Sequence, residues 1–342
     1  MRCLAVVCCA LAAAGCAPKV AELYQSPPPR PGSEVVLLTS VASHQDPYQA
    51  GRLAAEDLRR RMLKPPHAVI VAECFDGEAN KRKALQGVLA VFPRQVVFGG
   101  ATYGGYTQAG VTDRDAVTLL GITGEGIGVA AALQTRLGTA KLSSEQDQPE
   151  IERRLHAAGA AIVTKLPRTF EKGLLIVLAD AHSPKNAHLV QGIHAALAKP
   201  IPITGGSVNK NAGQTFVYYQ GRMFQDSAIA LLLTGDFRVG TAGRQAKEGP
   251  QVVATAEAAA LEALGNLKGA KPFAALAFDC AGRKGKLARL DDELAAIQKA
   301  IKPTIPLFGC YCAGEIGPAD GAPENAPASG VGWHIMFTTL GR

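Results

Sequence analysis

Short apolar runs alternate with amphipathic stretches along most of the chain, and the alternation itself repeats. "EVVLLTS" from Glu34 is a short β-rich run. "DPYQAGRLAAEDLRRRML" from Asp46 sets apolar residues at helical spacing behind an aspartate cap, so a strand is expected to lead into a helix. Three units of one design follow. The first runs from "AVIVAECFDG" at Ala68, through a helix around Ala84 to Val91, to "PRQVVFGGATYGG". The second runs from "GLLIVLADAHS" at Gly173, through a helix around His188 to Leu197, to "PIPITGGSVN". The third runs from "FAALAFDCAGR" at Phe273, through "LDDELAAIQKAI", to "PTIPLFGCYCAGEIG". Each is a strand, a polar turn, an amphipathic helix, a proline and a second strand closed by a glycine pair or Gly-Cys.

Phe98, Gly99 and Gly104 fall on Phe308, Gly309 and Gly314 at a constant shift of 210 residues, which argues for related copies. A further β-rich stretch follows each unit: "AVTLLGI" at Ala116, "QTFVYYQGRMFQDSAIALLL" at Gln214 and "GWHIMFTTL" at Gly332. Gln220 and Gly221 occupy an expected hairpin turn. The pattern predicts an α/β fold, layered, with mixed sheets and two lobes. "LGTAKLSSEQDQPE" from Leu137 reads as a surface linker between helices. "TGDFRVGTAGRQAKEGPQ" from Thr234 reads as the boundary between an N-terminal part, 34–237, and a C-terminal part, 238–342.

The amino terminus follows another pattern. Arg2 precedes an apolar run from Cys3 to Ala14, too short to span a bilayer and suited to an export signal. "AAGC" at Ala13 to Cys16 resembles a lipobox, which predicts a lipoprotein signal peptide over 1–15 and lipidation at Cys16; an ordinary cleavable signal is the competing reading. Ala17 after Cys16 points to the outer membrane, on its periplasmic or surface side. The segment 16–33 contains "QSPPPRPGS" and is expected to be an extended tether.

Composition narrows the classes. The chain has 342 residues, of which 47% are hydrophobic and 19% charged, enough for a folded core. The formal charge of +7 is scattered in short clusters such as Arg59, Arg60 and Arg61, a solvated face rather than a nucleic-acid site. Without its leader, and apart from the expected anchor Cys16, the chain keeps Cys74, Cys280, Cys310 and Cys312, no framework of disulfides, and a CxC with no neighbouring histidine; no metal site and no cofactor are expected. Neither a dinucleotide fingerprint nor a GxxxxGK[ST] or GxSxG motif appears. The histidines do not cluster.

Glycines at strand ends let backbone N–H groups approach a ligand, so the recurring turns predict a small pocket. The candidate ligand-binding residues are Thr102, Gly205 and Gly309 of the turns, with Asp279, Cys280, Arg283 and Glu315. Arg283 could hold a carboxylate, and Asp279 or Glu315 an amine; a structural pairing of Arg283 with either acid is the competing reading.

"FDCAGRKGKL" followed by "PLFGCYCAGEIGP" resembles the FIST family, named for F-box and intracellular signal transduction proteins. Its C-terminal domain carries Asn-Cys-x-Gly-Arg and then Gly-Phe-x-x-x-Gly-Glu-Ile-Gly-Pro. Cys280, Gly282, Arg283, Gly309, Gly314, Glu315, Ile316, Gly317 and Pro318 match, and Asp279 stands for the asparagine. The region from about Ala50 to Phe237 resembles the N-terminal domain, with Gly105 in place of a glutamate. The usual His-Asn-x-Thr near the C-terminus is missing. The resemblance implies a non-enzymatic sensory domain for a small ligand, an amino acid or a derivative, acting through a signalling partner protein. Thiol chemistry at Cys280, Cys310 or Cys312 and a haem-based gas sensor are the alternatives.

Overall fold

The computed structural model describes residues 23–208, 215–323 and 326–342. A first strand, β1 (Leu23–Gln25), precedes three copies of one arrangement. The first copy is β2 (Val36–Ser43), α1 (Pro47–Arg61), β3 (Ala68–Glu73), α2 (Glu78–Leu89), β4 (Val97–Ala101), a hairpin of β5 (Gly105–Thr107) and β6 (Gly110–Thr112), and β7 (Ala116–Thr123). The second is β8 (Ile127–Thr135), α3 (Gln148–Thr164), β9 (Gly173–Ala179), α4 (Asn186–Ala196), β10 (Ile203–Ser207), β11 (Val217–Tyr219), β12 (Arg222–Phe224) and β13 (Ser227–Gly235). The third is β14 (Arg238–Gln245), α5 (Gly249–Gly265), β15 (Pro272–Cys280), the short α6 (Ala281–Lys284), α7 (Leu290–Ile301), β16 (Leu307–Cys312), β17 (Glu315–Gly317), β18 (Ser329–Val331) and β19 (His334–Gly341).

Each copy builds four strands of one sheet and lends its hairpin to another. The sheet orders are β2-β7-β3-β4-β11-β12, β1-β8-β13-β9-β10-β17-β18 and β14-β19-β15-β16-β5-β6. The second copy's hairpin thus extends the first sheet, the third copy's extends the second, and the first copy's extends the third. In each sheet the strands flanking the second helix pair in parallel and the others antiparallel. The class is therefore α/β with mixed sheets, and the two expected lobes resolve into three interlocked units. One core lies between the inner faces of the sheets, joining Ile70 and Phe98 to Ile176 and Leu231 and to Leu276 and Phe308. The outer face of each sheet carries its own helix pair over a separate core.

Local chemistry explains the elements. Asp46 caps α1 by accepting from the N–H of Tyr48 at 3.0 Å, with Pro47 at the first helical position. Gln220 and Gly221 have φ of 49° and 62°, the left-handed pair that a tight hairpin between β11 and β12 requires. Two segments differ from expectation. The stretch before Leu137 is the nine-residue strand β8, so that linker joins a strand to α3; Ala130, Ala131 and Ala132 carry little β preference, and burial between neighbours decides the matter. The expected boundary segment contains β14, an edge strand whose Gly240 closely approaches the carbonyl of Ala263 on α5.

The proline-rich segment is likewise docked from Leu23 onward. β1 pairs with β8, the N–H of Ser26 donates to Val129 O at 2.8 Å, and the N–H of Arg30 donates to Glu125 O at 2.6 Å. Cys16 and the leader lie outside the described residues.

Candidate functional site

The sheet register aligns the units residue by residue. Ile70, Ile176 and Leu276 pair with Phe98, Thr204 and Phe308, so Glu73, Ala179 and Asp279 occupy one position at the ends of β3, β9 and β15. In the first unit that position is filled by a buried ion pair. Glu73 accepts from Lys81 Nζ at 3.3 Å, Tyr218 OH at 2.5 Å and the N–H of Phe75 at 2.9 Å, and both charged side chains are 0% exposed. Burial raises the Glu73 carboxyl while the Lys81 charge opposes it.

The third unit fills the position more elaborately. Arg283 Nε donates to Asp279 at 2.8 Å, Nη2 to Glu293 at 2.9 Å and to Val252 O at 3.0 Å, and Nη1 to Thr255 Oγ1 at 2.9 Å. Tyr311 OH donates to Glu293 at 3.2 Å. One guanidinium cannot neutralise two carboxylates in a dry site. Burial, and then the charge of Asp279, hold the Glu293 carboxyl well above the usual carboxylate range, against the Arg283 charge.

Cys280 points to the opposite face of the sheet from Asp279. Burial, and after it the neighbouring Glu315 carboxyl, push its thiol up to about 12, against the opposing N–H groups of Arg283, Trp333 and Gly282. Glu315 Oε2 accepts from the N–H of His334 at 3.0 Å, whereas Oε1 has no hydrogen-bond partner among the described residues, and burial raises this carboxyl well above its usual range. Trp333 sits at φ 63°, and its ring covers Gly282. The Sγ atoms of Cys310 and Cys312 lie 3.7 Å apart, both thiols being buried.

These side chains do not form the open pocket expected of them. Asp279, Arg283 and Glu315 are 0% exposed and Cys280 9%. Arg283 is committed to α5, α7 and Asp279 on the helix side, and Glu315 to the turn before β19. Gly205 and Gly309, with Gly99, are equivalent, but each is the third residue of its strand rather than a strand end. Each lies opposite a residue of the lent hairpin: Tyr218 on Gly99, Ile316 on Gly205, Tyr106 on Gly309. A Cβ at Gly309 would stand 2.2 Å from the Tyr106 ring, so this glycine serves packing. Thr102 is buried, donates to Glu73 O at 3.1 Å, and faces a void of 10 Å³ shared with Cys310 and Cys312.

The second unit differs. Ala179 brings no acid to the shared position, and the next residue, Asp180, borders an open cleft of 360 Å³ lined also by Thr139, His182, Lys185, Thr215 and Asp226. Lys185 Nζ donates to the carbonyls of Thr139 and Leu142 at 2.7 and 2.6 Å. Asp226 accepts from the N–H of Gly138 at 2.8 Å and donates its own N–H to Asp180 at 2.9 Å. Acids and a cation therefore meet around a space at the lower end of small-ligand volumes. Sequence reasoning singled out none of these residues as binding groups. The signal lay in extending the repeat alignment to the second unit, which sets Asp180 beside Cys74 and Cys280. Among the described residues, no group of three or more His, Cys, Asp or Glu is placed to hold a metal ion.

No curated protein matches the chain. Among solved structures it is similar to one described as "Cyanuric acid hydrolase: evolutionary innovation by structural concatenation", at 10% identity and a TM-score of 0.41, covering 90% of this chain and 99% of that one. It is also similar to PurLQS from Thermotoga maritima, at 11% identity and a TM-score of 0.29, covering 90% and 72%. Likeness at this level carries no functional argument. Family models are specific: the FIST N domain matches residues 67–259, more than half of the chain, and the FIST C domain matches 221–318. Together they run from the residue before β3 to the residue after β17, across all three units, and the chain belongs to the FIST family of sensory signal-transduction domains.

Proposed function

We propose that this chain is a lipid-anchored, extracytoplasmic sensory protein that binds a small zwitterion, such as an amino acid or a derivative, and passes the signal to a partner protein. One observation carries the ligand site: of three equivalent strand ends, two are plugged by buried ion pairs and the third opens into a cleft bordered by Asp180, Asp226, His182 and Lys185. Those groups offer carboxylates for an amine and one cation, Lys185, for a carboxylate. The apolar run from Cys3 and the "AAGC" at Cys16 support export and anchoring.

Thiol chemistry is less well supported, because a buried Cys280 pushed up to about 12 stays protonated and is a poor nucleophile. The test is a thermal-shift and calorimetric screen of amino acids, repeated on Asp180→Asn and Lys185→Met. Removing one charge-assisted hydrogen bond to the ligand should weaken binding by roughly tenfold or more. Normal affinity in both variants, or no stabilising ligand in the screen, rejects the cleft.

A further inference from the structure

From the surface around the end of α1, we infer that this face of the molecule rests on an anionic phospholipid bilayer. Leu63 is 96% exposed, far more than the other exposed large apolar residues, Leu23, Leu53 and Leu261. It stands at the tip of the loop between α1 and β3. Around it are Arg59, Arg60, Arg61 and Lys64, and Arg30 reaches Glu125 at 2.7 Å beside Lys64, which reaches the same carboxylate at 2.7 Å. With the exposed Glu34 beside Glu125, five cations thus meet three carboxylates, Asp57 pairing with Arg60 and Arg61 and Glu125 with Arg30 and Lys64. Cations in the last turn of a helix complement its dipole, which accounts for Arg59 to Arg61. Nothing of that kind accounts for a leucine held out in water.

The second observation is where the chain leads. Tyr24 OH donates to His67 O at 2.8 Å, so the first described residues lie against the segment that ends this loop. Leu23, itself 40% exposed, is seven residues from Cys16, a reach of no more than about 25 Å. The docked proline-rich segment adds no slack, because it is bound along β8 and at Glu125. A lipid on Cys16 would keep Leu23 within that reach of the headgroups, and of the surface about it the basic rim and apolar tip of the Leu63 loop suit an anionic bilayer. The occupant is the bilayer, and the orientation rests on reading Cys16 as the anchor.

The experiment keeps the two claims apart by using the full chain with Cys16→Ser, which cannot be lipidated. Its sedimentation with phosphatidylglycerol-containing vesicles is compared with pure phosphatidylcholine vesicles. Binding is expected to anionic vesicles and to fall at high salt. Leu63→Asp should reduce the partition coefficient by about tenfold or more. Arg59→Gln with Arg60→Gln should reduce it several-fold, whereas Leu261→Asp on α5 should not change it. Melting temperatures should match throughout, since all four positions are exposed. Equal binding to both vesicle types, equal loss with Leu261→Asp, or no loss with Leu63→Asp overturns the surface. Failure of wild-type Cys16 to place the protein in membranes would instead overturn the anchor.

Discussion

Single residues at the core of this protein are set by close approach. Gly99 and Gly205 have φ of 140° and 152°, and a Cβ on them would meet the carbonyls of Val71 and Val177 at 2.0 and 1.9 Å. Gly205→Ala should therefore cost about 1–3 kcal/mol or more in chemical denaturation, and Gly309→Ala a similar amount through the Tyr106 ring; a loss below about 0.5 kcal/mol for either would refute that role. Glu315 makes the converse case, an acid whose neutral form the fold prefers. With a raised folded pKa, its contribution is present below the ordinary glutamate value of 4.5 and is lost as pH rises toward the folded value. Glu315→Gln should thus gain stability over wild type as pH rises above the ordinary glutamate value of 4.5, read as a widening gap between the two melting-temperature curves. A gap that is constant or narrows with pH would show that Glu315 is ionised in the fold. The motif residues themselves were legible, since "FDCAGR" and "GEIGP" stand out in the chain. Their closure was not, because Arg283 is saturated by Val252, Thr255 and Glu293 from two helices whose inward faces carry no motif.

At the scale of elements, the helices and the strands with strong apolar runs follow from the pattern, α7 at the predicted residues and β9 at its predicted start. β8 and β14 were missed because alanine, glycine and polar residues dominate them, and their pairing with β13 and β19 supplies what their composition lacks. The docked β1 was missed for a related reason: a proline-rich stretch has little local preference beyond extension, and the open edge of β8 captures it. That capture is testable. Deleting residues 23–33 removes the β1 pairing and the Tyr24 ring from Phe98, 5.3 Å away between centroids, and should lower stability by about 2–4 kcal/mol and promote aggregation through the bared edge. Unchanged melting and solubility would mean that the strand is an ornament. Arg283→Ala belongs here too, since it unties α5, α6 and α7 together; leaving Asp279 and Glu293 buried without their cation should cost about 3–5 kcal/mol. Combining Asp279→Asn, Arg283→Met and Glu293→Gln in one chain removes every charge of the cluster at similar volume and should recover most of that loss.

The largest feature, the exchange of hairpins, was invisible in the chain although the repeat was not. Periodicity gives each unit its strands, but the partner of a hairpin strand lies more than 100 residues away, as with Tyr218 on Gly99 and Tyr106 on Gly309, and no local pattern names it. The exchange changes what a domain means here. The division at 237/238 falls between β13 and β14, yet cutting there would strip β17 and β18 from the second sheet and leave the β5–β6 hairpin without β16. It would also open the central core, in which Phe98 and Leu231 share one cluster with Leu276 and Phe308. A unit that lends one piece and borrows another cannot bury its apolar faces alone. The chain ending at Phe237 should accordingly be recovered aggregated, or soluble without a cooperative melt. The complete chain should unfold in one transition, with far-UV circular dichroism, which reports all three units, coinciding with the fluorescence of the single tryptophan, Trp333, which reports the third. A folded N-terminal fragment, or a tryptophan transition separated from the dichroism, would show that the hairpins decorate independent domains; coincidence means that the three parts are stable only together.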